Sequence, residues 1–174
     1  MPVRVRTAHG PAPEGECVID IRIETFTAIR VARIRHIGPA MDAGPCFERL
    51  FKWAATVGAE TGRILTLSYD NPGTVEPEHR RSDACVELRT DVLPPPGIAM
   101  GFVGAGRYAV YRHRGASEGM ADPYRRLFTG WLPQSGEAID DRPCMEIDRN
   151  MRRDTSPEHR VTDLCVPLRE APPG

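Results

Sequence analysis

The chain has 174 residues, with 23 Lys plus Arg against 24 Asp plus Glu and a formal charge of −1. That length suits one domain, or two small halves sharing a core. A balance so close to zero argues against a direct nucleic-acid partner, which needs a clustered positive surplus. Without an apolar run of about 18 residues, no membrane partner is expected either.

In chain order, MPVRVRTAHG lacks an apolar stretch, so residues 1–16 read as an N-terminal arm rather than a signal peptide, and the cytoplasm is the expected compartment. A lead-in strand is expected near Val18–Glu24. Phe26–His36 alternates and carries β-branched residues, the pattern of a strand, which Gly38-Pro39 ends. Ala43–Val57 sets Phe47, Leu50, Phe51 and Ala54 at spacings of three and four, one apolar helical stripe. Ile64–Tyr69 reads as a short strand, DNPGTVEPEHR (70–80) as turn chemistry, and Asp83–Arg89 as another strand. In TDVLPPPGIAM three consecutive prolines continue neither a helix nor a central strand, so about 90–99 is a linker. Beyond it Arg107–His113, Pro123–Leu132, Pro143–Arg149 and Val161–Leu168 repeat the order strand, helix, strand, strand.

The repetition is visible in the letters. PEHRRSDACVELR (77–89) returns as PEHRVTDLCVPLR (157–169), identical at nine of thirteen positions and offset by 80. RVARIRHIG (30–38) returns as RYAVYRHRG (107–115), and Leu50-Phe51 as Leu127-Phe128, both offset by 77; Asn71 aligns with Asn150. The fold class is therefore α+β, a tandem repeat of two strand-helix-strand-strand units with pseudo-twofold symmetry and antiparallel sheets. Repeat one covers about 17–90 and repeat two about 100–170 of a single domain spanning 17–170, with 171–174 as a tail. One unit alone buries too little, whereas two pair their sheets, carry both helices on one face and leave a ligand groove on the other.

The five cysteines, Cys17, Cys46, Cys85, Cys144 and Cys165, lie far apart with no CxxC pair, so thiols rather than a metal site are expected, and no cofactor. His36 and His113 occupy equivalent repeat positions, which fits a structural role at a strand end. Strand alternation assigns Leu164, Val166 and Leu168 to the helix side, and Met145 and Ile147 with them. On that reading Glu146 and Asp163 share the opposite, groove-facing side, and Tyr108 looks the same way. Tyr69, in the first repeat, joins them as a groove aromatic.

VARIRHIGP (31–39), FERLFKWA (47–54), YDNPGTVEPEHRRSDACVEL (69–88), GRYAVYRHRG (106–115), LFTGWLPQSG (127–136) and RPCMEID (142–148) together resemble the GyrI-like small-molecule-binding domain family, over nearly everything after residue 17. The resemblance implies a groove for planar, often cationic molecules. It places the family's ligand-meeting glutamate on Glu146 and the acidic position of the final strand on Asp163. An aromatic that follows that acid in relatives is Cys165 here, and the residues after the first Gly-Pro are Ala40 and Met41 rather than an aromatic. A carboxylate among apolar groups is costly to desolvate until a cation arrives, which makes such a site strict about charge and loose about shape.

Three functions follow, in this order. The first is a stand-alone binder of a small aromatic or cationic molecule through Glu146, with Asp163, Tyr108 and Tyr69 around it. The second is a hydrolase opening cyclopropane-containing alkylating natural products, with Glu146 directing water and Tyr108 assisting. The third, resting on the resemblance alone, is inhibition of DNA gyrase. With about 17 residues ahead of the first strand, an attached helix-turn-helix module is not expected.

Overall fold

The computed structural model describes residues 19–150 and 154–171; the arm 1–16, Cys17 and the last three residues of the tail lie outside them. Among the described residues eight strands form one antiparallel sheet: β1 (Ile21–Phe26), β2 (Ile29–Ile37), β3 (Thr61–Ser68), β4 (Arg81–Leu88), β5 (Ala99–Val103), β6 (Gly106–Arg114), β7 (Cys144–Asp148) and β8 (Val161–Pro167). Their order is β1-β6-β8-β7-β3-β4-β2-β5, so the two repeats meet at the β7–β3 pair and the pseudo-twofold passes there. Helix α1 (Gly44–Thr56) lies between β2 and β3. Its counterpart between β6 and β7 is a helix in two pieces, α2 (Ala121–Arg126) and α3 (Leu132–Ser135), joined by a π-helical turn at Leu127–Trp131. Pro133 explains that turn: it has no N–H to donate, and the amide of Leu132 reaches back five residues to the Leu127 carbonyl.

The lead-in strands are exchanged between the halves. β1 precedes the first repeat but pairs with β6 of the second, and β5 precedes the second but pairs with β2 of the first. Each is followed by a two-residue link, Thr27–Ala28 or Gly104–Ala105, into a strand six places away in the sheet order. Six strand spacings in a flat sheet come to about 29 Å. A two-residue link spans about 10–11 Å at most. The sheet must therefore curl until its ends adjoin. At that seam a Cβ on Gly104, whose φ is +78°, would lie 3.2 Å from Ile29 Cδ1 and 3.3 Å from Met145 Sδ.

Curling buries both faces. The inner face gathers Ile29, Val31, Leu65, Leu67, Tyr108, Val110, Met145, Ile147 and the thiols of Cys85 and Cys165 from both repeats. The outer face packs under the helices: Ala32, Ala84 and Val86 under Leu50 of α1, and Ala109, Val166 and Leu168 under Leu127 and Trp131. The pseudo-symmetry extends to the polar details. Asp70 Oδ2 accepts from the Arg81 amide at 2.6 Å and Asn150 Oδ1 from the Val161 amide at 3.0 Å, so the structural partner of Asn150 is Asp70, not Asn71. His36 Nε2 and His113 Nε2 each donate to a carbonyl three residues on, Pro39 at 3.0 Å and Ala116 at 2.9 Å. After them come Gly38 and Gly115, at φ +126° and +117°, backbone that side chains seldom adopt.

The strands and helices expected from sequence are present, but the predicted faces need correction. Leu164, Val166 and Leu168 do lie under the helices. Met145 and Ile147 instead point into the curled interior, because that face also demands apolar residues. Glu146 sits opposite Leu164 in the β7–β8 ladder and Asp163 sits opposite Ile147, so the two acids project from opposite faces. The larger cavity lies on the helix side, not across the sheet from it.

Candidate functional site

β3 and β7 run side by side between the helices, and Glu146 is paired directly with Thr66. The repeat offset of 80 makes Thr66 the counterpart of Glu146, so the duplicated architecture presents one glutamate at its axis rather than two. Cys144, Glu146 and Asp148 alternate with the buried Met145 and Ile147, and so face the helices. Glu146, Asp148, Thr66 and Ile64 form the floor of a cavity of about 800 Å³. One wall is Phe47 and Phe51 of α1, with Pro39 and Met41 from the turn before it; the facing side is Ser117 and Met120, from the turn before α2. Glu48 and Lys52, one helical turn apart, are both exposed at the rim. The volume is ample for a drug-sized guest, and the lining combines an aromatic and thioether wall and an acidic floor with Lys52 and Arg80, the latter donating to the carbonyls of Val75 and Pro72.

Glu146 is held from α2. The Tyr124 hydroxyl donates to Glu146 Oε1 at 3.2 Å, and the Tyr124 ring stacks on Phe128 at 6.4 Å between centroids. Burial drives the Tyr124 phenol well above its ordinary value, and the Glu146 charge adds to the effect, so the phenol remains a donor at neutral pH. Burial, with Glu146 nearby, also pushes the Cys144 thiol up to about 11, which keeps it protonated. Asp148 Oδ1 accepts from the Thr162 hydroxyl at 3.4 Å. Sequence reasoning did not select Tyr124, although the signal was there. The offset of 77 aligns it with Phe47, the first residue of the apolar stripe on α1.

The other three expected site residues lie elsewhere. Asp163 is fully buried and takes hydrogen bonds from Arg112 Nε at 2.7 Å, Arg22 Nη2 at 2.9 Å and Arg149 Nε at 2.6 Å. Burial alone would raise its carboxyl, but Arg112 and Arg149 outweigh that and hold it below the usual range. Its repeat counterpart Asp83 accepts from Tyr69 at 2.7 Å, from Arg33 Nη1 at 3.1 Å and from Arg35, and is lowered in the same way. Burial, then the bond to Asp83, pushes the Tyr69 phenol up to about 12. Tyr108 is buried edge-on to Phe26 at 5.5 Å, with the Arg142 guanidinium 4.8 Å from its ring centre. Tyr69 and Tyr108 do meet, in a second cavity of about 310 Å³ at the seam. Of the four, Glu146 alone lines the cavity between the helices.

Among the described residues no cluster of three His, Cys, Asp or Glu is placed to hold a metal ion, and no helix is long and apolar enough to cross a membrane. Cys46, Cys85, Cys144 and Cys165 are free thiols.

A curled pseudo-symmetric sheet with two helices flanking a cavity at its axis defines a small-molecule-binding domain. Residues 19–169 match the GyrI-like small-molecule-binding domain, and the chain belongs to that family. It is similar to a DNA gyrase inhibitor of Edwardsiella piscicida, 34% identical over 158 residues that cover 88% of this chain and 100% of the relative. In fold it is similar to the EcmrR C-terminal domain, with a TM-score of 0.72 at 13% identity over 88% of this chain and 99% of that one. It is also similar to SAV2435, solved bound to tetraphenylphosphonium, with a TM-score of 0.58 at 12% identity over 87% and 94%.

Proposed function

We propose that this chain binds a flat or bulky organic cation in the cavity between α1 and α2, with Glu146 as its charge partner. The observation that carries the reading is Glu146 itself, a carboxylate on the floor of an 800 Å³ cavity and faced across it by Phe47 and Phe51. An aromatic cation gains from both: ion pairing with the carboxylate, and ring contacts worth about 0.5–2 kcal/mol each. A protein of this fold solved with a lipophilic phosphonium is in keeping with that chemistry. Asp163, Tyr108 and Tyr69 are left out of this contact set, since they lie on the other face of the sheet, Asp163 fully buried.

A titration of rhodamine 6G by fluorescence anisotropy tests the reading. Wild type is expected to bind, and Glu146→Gln to weaken binding by about tenfold or more, the cost of one charge-assisted contact. Equal affinity in the two proteins would reject Glu146 as the charge partner.

The Tyr124–Glu146 pair favours a second reading, hydrolysis of a strained alkylating compound. There Glu146 would take a proton from water while the Tyr124 hydroxyl, rather than that of Tyr108, holds the carboxylate in place. Mass detection of a water adduct of a cyclopropane substrate decides it; a loss no faster than in buffer ends it. Gyrase as a partner rests on the name of the Edwardsiella relative, and a supercoiling assay with added protein tests it.

A further inference from the structure

Thr66 lies on the floor of the helix-side cavity, on β3 and directly across from Glu146 of β7. The two side chains share one face. Leu65 and Leu67 on either side of Thr66 belong to the inner core, as do Met145 and Ile147 on either side of Glu146. Thr66 is only 8% exposed, yet its hydroxyl makes no hydrogen bond among the described residues.

The other polar groups of the lining are placed differently. Glu48 and Lys52 are exposed at the rim. Arg80 Nε and Nη2 donate to the carbonyls of Val75 and Pro72 at 2.8 and 2.9 Å. Asp148, on the same face two residues from Glu146, accepts from the Thr162 hydroxyl at 3.4 Å. Ser117 is less buried than Thr66. The Ser82 hydroxyl is also buried without a partner among the described residues, but Ser82 is not part of the lining. Thr66 is therefore the uncharged polar group set deepest in the floor. A buried hydroxyl ordinarily finds a partner, and one that faces a cavity finds it in water or in a guest.

Residues directly opposite in an antiparallel pair have their Cβ atoms about 4.5–5.5 Å apart. The Thr66 hydroxyl and the Glu146 carboxylate are thus neighbours that are not bonded to each other, and Tyr124 holds the carboxylate in place by donating to Oε1 at 3.2 Å. A cation that carries N–H groups can donate one to Glu146 and another to Thr66 Oγ1. A fully alkylated cation brings the same charge, but it displaces water from the hydroxyl and returns nothing to it.

We propose that Thr66 makes this cavity selective for cations that carry N–H groups over cations of the same shape whose nitrogens are fully alkylated. The selectivity rests on the cation reading of the same cavity, and it names the class of cation.

The test compares two dyes by fluorescence anisotropy on the whole chain. Rhodamine 123 has two NH2 groups; tetramethylrhodamine methyl ester has the same ring system and charge, with every N–H replaced by N–CH3. Thr66→Val is expected to weaken rhodamine 123 by about three- to tenfold more than it weakens the tetramethyl dye, as loss of one hydrogen bond to a buried group implies. Valine is isosteric with threonine and suits a strand, so the fold is retained; Thr66→Ala gives the same comparison if it is not. Thr66→Ser, which keeps the hydroxyl, is expected to hold the ratio of the two affinities within about twofold of wild type. Glu146→Gln is expected to weaken both dyes by about tenfold or more. An affinity ratio unchanged in both Thr66→Val and Thr66→Ala, or changed as much in Thr66→Ser as in Thr66→Val, would overturn the role of Thr66 and leave the cation reading standing. Failure of both dyes to bind wild type, or full affinity for both in Glu146→Gln, would overturn the cation reading and the selectivity with it.

Discussion

Replacing Asp163 by Asn removes one buried charge and leaves three guanidiniums facing each other. Breaking a buried ion pair costs about 3–5 kcal/mol where the surviving charge cannot reach water. Here Arg22, Arg112 and Arg149 keep 34–40% of their side chains exposed, so they regain part of their hydration. A loss of about 2–4 kcal/mol is therefore expected, which a domain of this size survives at neutral pH. In urea, with a slope of about 2 kcal/mol per molar, the midpoint should fall by about 1–2 M. The pH dependence carries the mechanism. The folded Asp163 carboxyl lies below its unfolded value of about 3.9, so its contribution is complete above that pH and is lost as pH falls through the folded value. Asp83 titrates in both proteins and cancels in the difference. The gap between wild type and Asp163→Asn should thus be widest near neutrality and shrink below pH about 4. A midpoint shift under about 0.3 M, or a gap that does not vary with pH, would refute the picture of a charge-anchored strand. Because Arg149 follows Asp148 at the end of β7, the same substitution is also expected to weaken cation binding at Glu146.

Other consequences are as direct. Phe51→Ala takes away an aromatic wall of the helix-side cavity and should weaken rhodamine 6G binding by about three- to tenfold in anisotropy titrations; because Phe51 also packs on the core under α1, thermal melts should show a loss of about 1–3 kcal/mol as well. Leu127→Ala opens a hole under a fully buried position in the π-helical turn; a loss of about 2–5 kcal/mol should appear in thermal melts. Gly104→Ala combines a φ of +78° with a Cβ 3.2 Å from Ile29, and should cost about 1–3 kcal/mol in urea unfolding if the seam is as closed as described.

Much of the fold is legible in the letters because the repeat writes each element twice. The stripe Phe47, Leu50, Phe51, Ala54 fixes α1, and its echo at Leu127 and Phe128 places the second helix. The faces were harder to read. Met145 and Leu164 are equally apolar, and period-two alternation states only that neighbours differ, not which of two buried faces lies under a helix. Only the register, Glu146 against Leu164, breaks the tie, and register is a long-range property. β5 was hidden for a related reason: Ala99–Val103 is short, glycine-bearing and follows a proline run, and it is a strand because β2 offers it an edge. Asp163 looked like a groove carboxylate because a lone strand does not reveal the arginines that converge on it. Arg22 comes from β1, 141 residues away.

The central claim is that a cation sits between the helices against Glu146, and the most direct measurement is a crystal structure of the protein with rhodamine 6G. The account predicts density between Phe51 and Met120, with the charged end of the dye within about 4 Å of the Glu146 carboxylate. Dye found at the seam beside Arg33, or on the outer surface with the helix-side cavity holding only water, would contradict it.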